Sequence, residues 1–243
     1  MTAAVPDEYL GVWRRRLLRT PERDDTTTAV FWLQTPRWHA DIRVSPACPA
    51  TTGAHGFESL PRSTLLALAA QQGFAGVTTV EGDICRWHRR VDFQPASGFS
   101  DVGRIVFETS ERMLEHGVEQ DYFEIWERVS GSTGASLALE KEGEIPVYLT
   151  VTGEFAMRVR PRRSRLGPAS NLCAWLGSLD DDEARALVDF EISLAQRSRD
   201  GVWRVLYSTF PWLEGHSLAD ADVLDAAVAG TVELHARHWR VLE

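Results

Sequence analysis

Residues 29–44 read AVFWLQTPRWHADIRV, and their alternation decides the fold class. The period is two, that of a β-strand rather than a helix. Ala29–Thr35 is one predicted strand and Trp38–Val44 the next, with Pro36–Arg37 as a hairpin connection. On the first strand, Trp32 and Gln34 share a face, and Phe31, Leu33 and Thr35 share the other. On the second, His39, Asp41 and Arg43 lie opposite Trp38, Ala40 and Ile42.

Outward from this hairpin the same period recurs. Strands are predicted over Tyr9–Leu18, Phe74–Glu81, Ile84–Phe93, Asp101–Glu108, Arg112–His116 and Tyr122–Val129. Ser63–Gln72 reads as a helix, capped by Ser63 or Thr64 and ended by Gly73. The second half gives Leu137–Lys141, one long strand over Pro146–Arg160, and a hairpin of Phe190–Gln196 with Val202–Ser208. Thr231–Glu243 closes the chain as one strand or two, and a second helix runs from Asp180–Asp182 through Val188. Gly131–Ala135 (GSTGA) is the linker, so the expected domains are residues 1–130 and 136–243. Antiparallel runs of this kind hide their edges by curling. The expected fold class is therefore mainly β, with two tandem antiparallel barrels that each carry a short helix.

The 243 residues are 44% hydrophobic and 25% charged, which suits a globular chain with a substantial core. Nine tryptophans, spread over both halves, are the unusual feature of that composition. The net charge of −9 gives no general field for nucleic acid or an anionic membrane. The arginine runs Arg14–Arg16 and Arg158–Arg165 read as solvated strand edges and a loop. Cys48, Cys85 and Cys173 are odd in number and far apart, neither a disulfide framework nor a zinc site. No signal peptide and no membrane span are visible, so the cytoplasm is the expected location.

No phosphate-binding loop, dinucleotide fingerprint, zinc-protease or serine-hydrolase motif is present, and no cofactor or metal is expected. His235 and His238 point to opposite faces of a strand and read as surface histidines. The informative strands are those mixing aromatic and polar residues. In CRWHRRVDF, Cys85, Trp87, Arg89, Val91 and Phe93 share a face, opposite Arg86, His88, Arg90 and Asp92. In YFEIWERV, Tyr122, Glu124, Trp126 and Arg128 share one face, opposite Phe123, Ile125, Glu127 and Val129. A carboxylate between two aromatics suits a polar group of a ligand inside an apolar lumen. It also suits a structural ion pair of Glu124 with Arg89 or Arg43, or an exposed strand face.

Gly11-Val12-Trp13 at the first strand, followed by an up-and-down series of strands with a helix, resembles the lipocalin-like (calycin) superfamily. The resemblance implies that Trp13 closes a barrel floor beneath a late-strand arginine, for which Arg128 is the candidate. The whole chain is similar to a small two-barrel family known from fungi, with bacterial relatives and no established activity. The residues that carry this are Cys85–Phe93, Tyr122–Arg128, Val147–Phe155 and His238–Glu243. The family implies a fold and supplies no catalytic residues.

The expected function is binding of a small hydrophobic or amphipathic ligand in a barrel lumen. The candidate ligand-binding residues are Trp32, Gln34, Arg43, Trp87, Tyr122, Glu124 and Trp126. Two alternatives stand beside it. One is a protein-interaction module with filled barrels, whose partner would meet loops 45–62 and 161–180. The other is a cofactor-independent isomerase, cyclase or decarboxylase using Glu124, Tyr122, Arg43 and His88.

Overall fold

The computed structural model describes residues 3–48, 54–96, 98–164, 166, 171–228 and 238–243. His235, Arg165, the start of the predicted closing strand and parts of both long loops lie outside the described residues.

The first half forms strands β1 (Gly11–Arg19), β2 (Asp24–Asp25), β3 (Ala29–Gln34), β4 (Trp38–Val44), β5 (Gln72–Glu81), β6 (Ile84–Asp92), β7 (Val102–Thr109), β8 (Arg112–Gly117) and β9 (Phe123–Arg128). Each pairs antiparallel with the next, apart from the two-residue β2 at the side of β1, and β9 returns to pair with β1. Eight strands thereby close into a barrel with no terminal strand, although β6 and β7 pair over three residues only, Ile84–Arg86 with Val102–Arg104. The closing register sets Trp13 opposite Arg128 and Leu18 opposite Glu124, with a bulge between Arg15 and Leu17.

The second half is a six-stranded antiparallel sheet of β10 (Ser136–Lys141), β11 (Val147–Thr152), β12 (Phe155–Arg160), β13 (Glu191–Arg197), β14 (Trp203–Ser208) and β15 (Trp239–Val241). Its outermost strands are β14 and β15, and among the described residues they do not pair with each other. The expected second barrel is, as described, a sheet covered on both faces. The predicted long strand over Pro146–Arg160 is two strands, because the chain reverses at Gly153, whose φ is +55°. A Cβ on Gly153 would lie 2.4 Å from the Gly131 carbonyl oxygen, so only glycine fits.

Four short helices accompany the sheets: α1 (Arg62–Ala69), α2 (Leu172–Leu176), α3 (Asp181–Val188) and α4 (Ala221–Val228). Among the described residues, the second half thus carries three helices rather than the expected one. Asp180 and Glu183 form a reciprocal capping box on α3. Helix α1 follows Pro61 without a side-chain cap, and Gly73 belongs to β5 rather than to the helix end. Among the described residues, no helix is long and apolar enough to cross a membrane.

Three apolar clusters hold these layers together. One fills the base of the barrel with Trp13, Trp32, Phe74, Cys85, Trp87, Ile105, Met113 and Trp126. A second joins the outside of the barrel to the second sheet and to α1–α3. There Phe31 meets Tyr207 with ring centroids 4.8 Å apart, and Trp38 stacks on Tyr148 at 5.4 Å. Leu33, Ala40 and Ile42 from the barrel and Met157, Ile192 and Leu194 from the sheet belong to the same cluster. Each fully buried large side chain contributes about 1.5–3 kcal/mol of transfer free energy, so this junction is substantial. The third cluster, with Leu139, Leu149, Val205, Leu224 and Trp239, covers the far face of the sheet.

One predicted face changes at a bulge. Cys85 and Trp87 point into the barrel, whereas Phe93 belongs to the junction between the sheets. The β5–β6 register shifts between Ala75 and Gly76, so Ala75 faces Val91 while Gly76 faces Arg89. The extra residue reverses the alternation beyond it. A Cβ at Gly76 would come within 2.0 Å of the His88 carbonyl oxygen, so glycine permits this close approach.

Candidate functional site in the barrel lumen

The floor is built by strand closure. Trp13 is fully buried, and its indole N–H donates to the Tyr9 carbonyl at 2.8 Å. The Arg128 guanidinium lies over the Trp13 ring, 4.3 Å from its centre, and donates to the carbonyls of Glu8, Leu10 and Ser110. The late-strand arginine over the first-strand tryptophan is thus present in the geometry.

Above the floor, Trp32 packs edge-on against Trp87 at 5.3 Å and against Trp126 at 6.1 Å. Their N–H groups are directed by neighbours, Trp32 to Gln34 Oε1 at 3.2 Å and Trp126 to Glu115 Oε2 at 3.0 Å. These tryptophans form the apolar side of a cavity of about 430 Å³. Leu18, Thr20, Pro21, Glu22, Gln120 and Asp121 line its outer part. That volume lies within the range of small-molecule pockets, roughly 300–1,000 Å³.

The upper wall is polar and mostly paired. Arg15 donates to Glu124 at 2.8 Å and to Asp25 at 3.1 Å. Arg43 binds Asp41 at 2.7 Å, and Arg89 binds Asp101 at 2.6 Å and Asp92 at 2.7 Å. Glu115 and Glu124 face each other across β8 and β9, and both are buried. Glu115 accepts from the Tyr122 hydroxyl at 2.7 Å and from Trp126. Burial, then repulsion from Glu124, pushes the Glu115 carboxyl well above the ordinary carboxylate range, with the Tyr122 hydrogen bond opposing. Burial also raises Glu124, against the pull of Arg15 and Arg43. Burial raises Asp41 too, while Arg43 acts against the shift.

Six of the seven sequence-predicted residues line this cavity: Trp32, Arg43, Trp87, Tyr122, Glu124 and Trp126. Gln34 does not. It is buried beneath Trp32, where it accepts from Thr78 and donates to the carbonyls of Thr35 and Trp38. Glu124 pairs with Arg15 rather than with Arg89 or Arg43, because the β1–β9 closure carries β1 alongside it. His88 is exposed on the outer wall and meets Thr79 at 2.8 Å, so it does not share the cavity with Glu124, Tyr122 and Arg43.

The reading of the arginine runs as solvated edges holds for Arg16 and Arg163 but fails for Arg15, Arg158 and Arg162, which are buried. Arg158 pairs with Glu191 and Asp220, and Arg162 donates to the carbonyls of Phe93 and Leu187. Glu115 and Arg15 were not predicted as site residues. For Glu115 the sequence did carry a signal, the period-2 register of RMLEHG that sets Met113 and Glu115 on one face of β8. Arg15 becomes visible only once the barrel closes.

Among the described residues, no group of three or more metal-ligating side chains comes together. His39 faces the barrel interior with its Nδ1 2.9 Å from Thr78 Oγ1, while its Nε2 has no hydrogen-bond partner. Burial, then the charge of Arg89, lowers its pKa to about 3, so the ring is neutral at physiological pH.

No family model matches the chain, and no curated protein matches it. Among solved structures, it is similar to the crystal structure of the uncharacterized protein YLR301w from Saccharomyces cerevisiae. The two chains are 11% identical, with a TM-score of 0.50, and the match covers 82% of this chain and 84% of that one. At that identity the likeness is one of fold alone.

Proposed function

We propose that the barrel of residues 11–128 binds a small, partly apolar ligand in its lumen, on a lipocalin-like plan. The observation that carries this reading is the half-filled interior. Below, side chains pack solidly; above, about 430 Å³ stays open between three tryptophans and a wall of paired charges. Small barrels filled by their own side chains leave no such space. The Trp13–Arg128 floor supports the lipocalin-like plan. Unpaired thiols at Cys48, Cys85 and Cys173 fit a reducing compartment such as the cytoplasm.

A screen of lipids, isoprenoids and small aromatics, read by intrinsic tryptophan fluorescence, tests the proposal. A saturable change with at least one class, lost when Thr20→Trp narrows the mouth, is the expected outcome. Absence of any saturable response across the library would remove the reading and favour a protein-interaction module. A cofactor-independent enzyme is the second reading, favoured by the opposed Glu115–Glu124 pair, in which burial and the neighbouring carboxylate raise Glu115 while Arg15 pairs with Glu124. Turnover of any compound that binds, abolished by Glu124→Gln, would establish it.

A further inference from the structure

We propose that the ligand of the lumen carries a cationic nitrogen, which pairs with Glu115 and lies against the tryptophan cluster. This inference rests on the lumen-binding reading and narrows it to organic ammonium compounds.

The charges of the cavity wall are unequal. Six carboxyl groups line it against two guanidiniums. Deep in the wall, three of the carboxyls have arginine partners: Asp41 with Arg43, Asp101 with Arg89 and Glu124 with Arg15. Glu115 is the exception among these buried or half-buried acids. Both of its oxygens accept hydrogen bonds from neutral donors, Tyr122 and Trp126, and no ion pair reaches it among the described residues. It is 4% exposed and lines the cavity. A buried carboxyl without a cation either stays neutral or waits for one.

The surroundings favour a cation over other occupants. Trp126, which holds Glu115, and its neighbours Trp32 and Trp87 are the side chains best suited to receive an ammonium group on their faces. Among the described residues no arginine or lysine stands over these three rings. The protein's own guanidiniums instead occupy Phe74, with Arg89 at 3.6 Å and Arg43 at 5.3 Å from its centre. Toward the mouth, Glu22 and Asp121 add negative charge without a described partner, which repels anions and draws cations inward. The apolar remainder of such a ligand would fill the space beside Leu18 and Trp87.

The test uses the intact protein and three probes of one shape: 2-phenylethylammonium, 2-phenylethanol and phenylacetate, each titrated by tryptophan fluorescence near neutral pH. The ammonium compound is expected to bind at least about tenfold more tightly than the alcohol, with phenylacetate weakest of the three. In Glu115→Gln the ammonium-to-alcohol ratio is expected to fall to within about threefold of unity. An alcohol that binds as tightly as the ammonium compound, or a preference that survives Glu115→Gln, would overturn the cation inference while leaving the lumen reading intact. Failure of all three probes together with the wider library would instead overturn the lumen reading itself. Should Glu115→Gln not fold, the ratio in the unmodified protein decides.

Discussion

The barrel and the second sheet are both antiparallel strands connected largely in sequence order, yet they solve the edge and the interior differently. The barrel closes on itself, and its inner face carries Asp41, Glu115 and Glu124 beside tryptophans. Among the described residues, the second sheet leaves β14 and β15 unpaired to each other, and its two faces are covered, one by the barrel and α1–α3, the other by α4. Every residue of β11 is buried as a result, from Val147 to Thr152. Closure gives a protected interior that need not be filled, and polar groups with partners persist there. Coverage by neighbouring layers fills the second sheet with packed apolar side chains and small hydroxyls, apart from the buried Arg158–Glu191 ion pair, and leaves no comparable open space beside its charges. The location of the open cavity follows from that difference more than from the identity of any single residue.

The largest expected effect comes from separating the two regions. Residues 1–130 alone would expose Phe31, Leu33, Trp38 and Ile42 to water, and burial of four such side chains is worth roughly 6–12 kcal/mol. That exceeds the reserve of many domains. We propose that 131–135 is a boundary of topology rather than of folding. Urea unfolding of residues 1–130 should then lack the cooperative transition of the whole chain. A folded fragment would show the two regions to be autonomous domains.

The next prediction places one residue type in both environments. Leu149 lies fully buried in the cluster on the far face of the sheet. Leu149→Glu puts a carboxyl there with no designed partner, at an expected cost of about 4 kcal/mol or more in chemical denaturation. The barrel carries Glu115 and Glu124 at comparable depth. A cost below about 1 kcal/mol would erase the contrast.

His39 gives a smaller effect with a defined sign. Its folded pKa, about 3, lies below the ordinary value of 6.5, so the unfolded chain takes up the proton first. Stability attributable to neutral His39 is fully present above the unfolded value and is lost as pH falls toward 3. Between about pH 6.5 and 4.5 the loss should reach roughly 2–3 kcal/mol, and His39→Gln should flatten that limb of the stability–pH curve. An unchanged slope would mean that the ring is not buried neutral.

Glu115→Gln should have the smallest effect on the ligand-free protein. Gln can accept from the Trp126 N–H and donate to the Tyr122 oxygen, so the hydrogen bonds survive. The Glu115 carboxyl is raised, so unmodified protein should lose stability relative to the variant as pH climbs from the ordinary carboxyl range toward the folded value. Thermal melts of the two proteins across that range read the sign directly. A relative gain with rising pH would contradict it.

Much of the barrel was legible because its strands carry one rule at a time. YFEIWER alternates cleanly, and its lumen face emerged as Tyr122, Glu124 and Trp126. Short turns such as Glu81–Ile84 and Thr35–Trp38 fixed which strands pair. The rest depended on contacts distant in sequence. Arg15 looked like one member of a solvated run until β9 returned to β1 and set Glu124 beside it. Phe93 changed sides through a bulge that no period-2 count contains. On β3 and β4 both faces are apolar at several positions because one meets the lumen and the other meets the second sheet. Alternation identified the two faces and could not say which was inside. The reversal at Gly153 was hidden because VYLTVTGEFAMRVR reads as one strand on apolar content alone, and only the glycine signals the turn.

A crystal structure of the protein grown with 2-phenylethylammonium shows directly whether a cation enters the lumen. The probe is expected inside the barrel, its ring against Trp32, Trp87 or Trp126 and its nitrogen within hydrogen-bond distance of Glu115. A lumen closed by its own side chains, or a probe found only on the outer surface, would contradict that expectation.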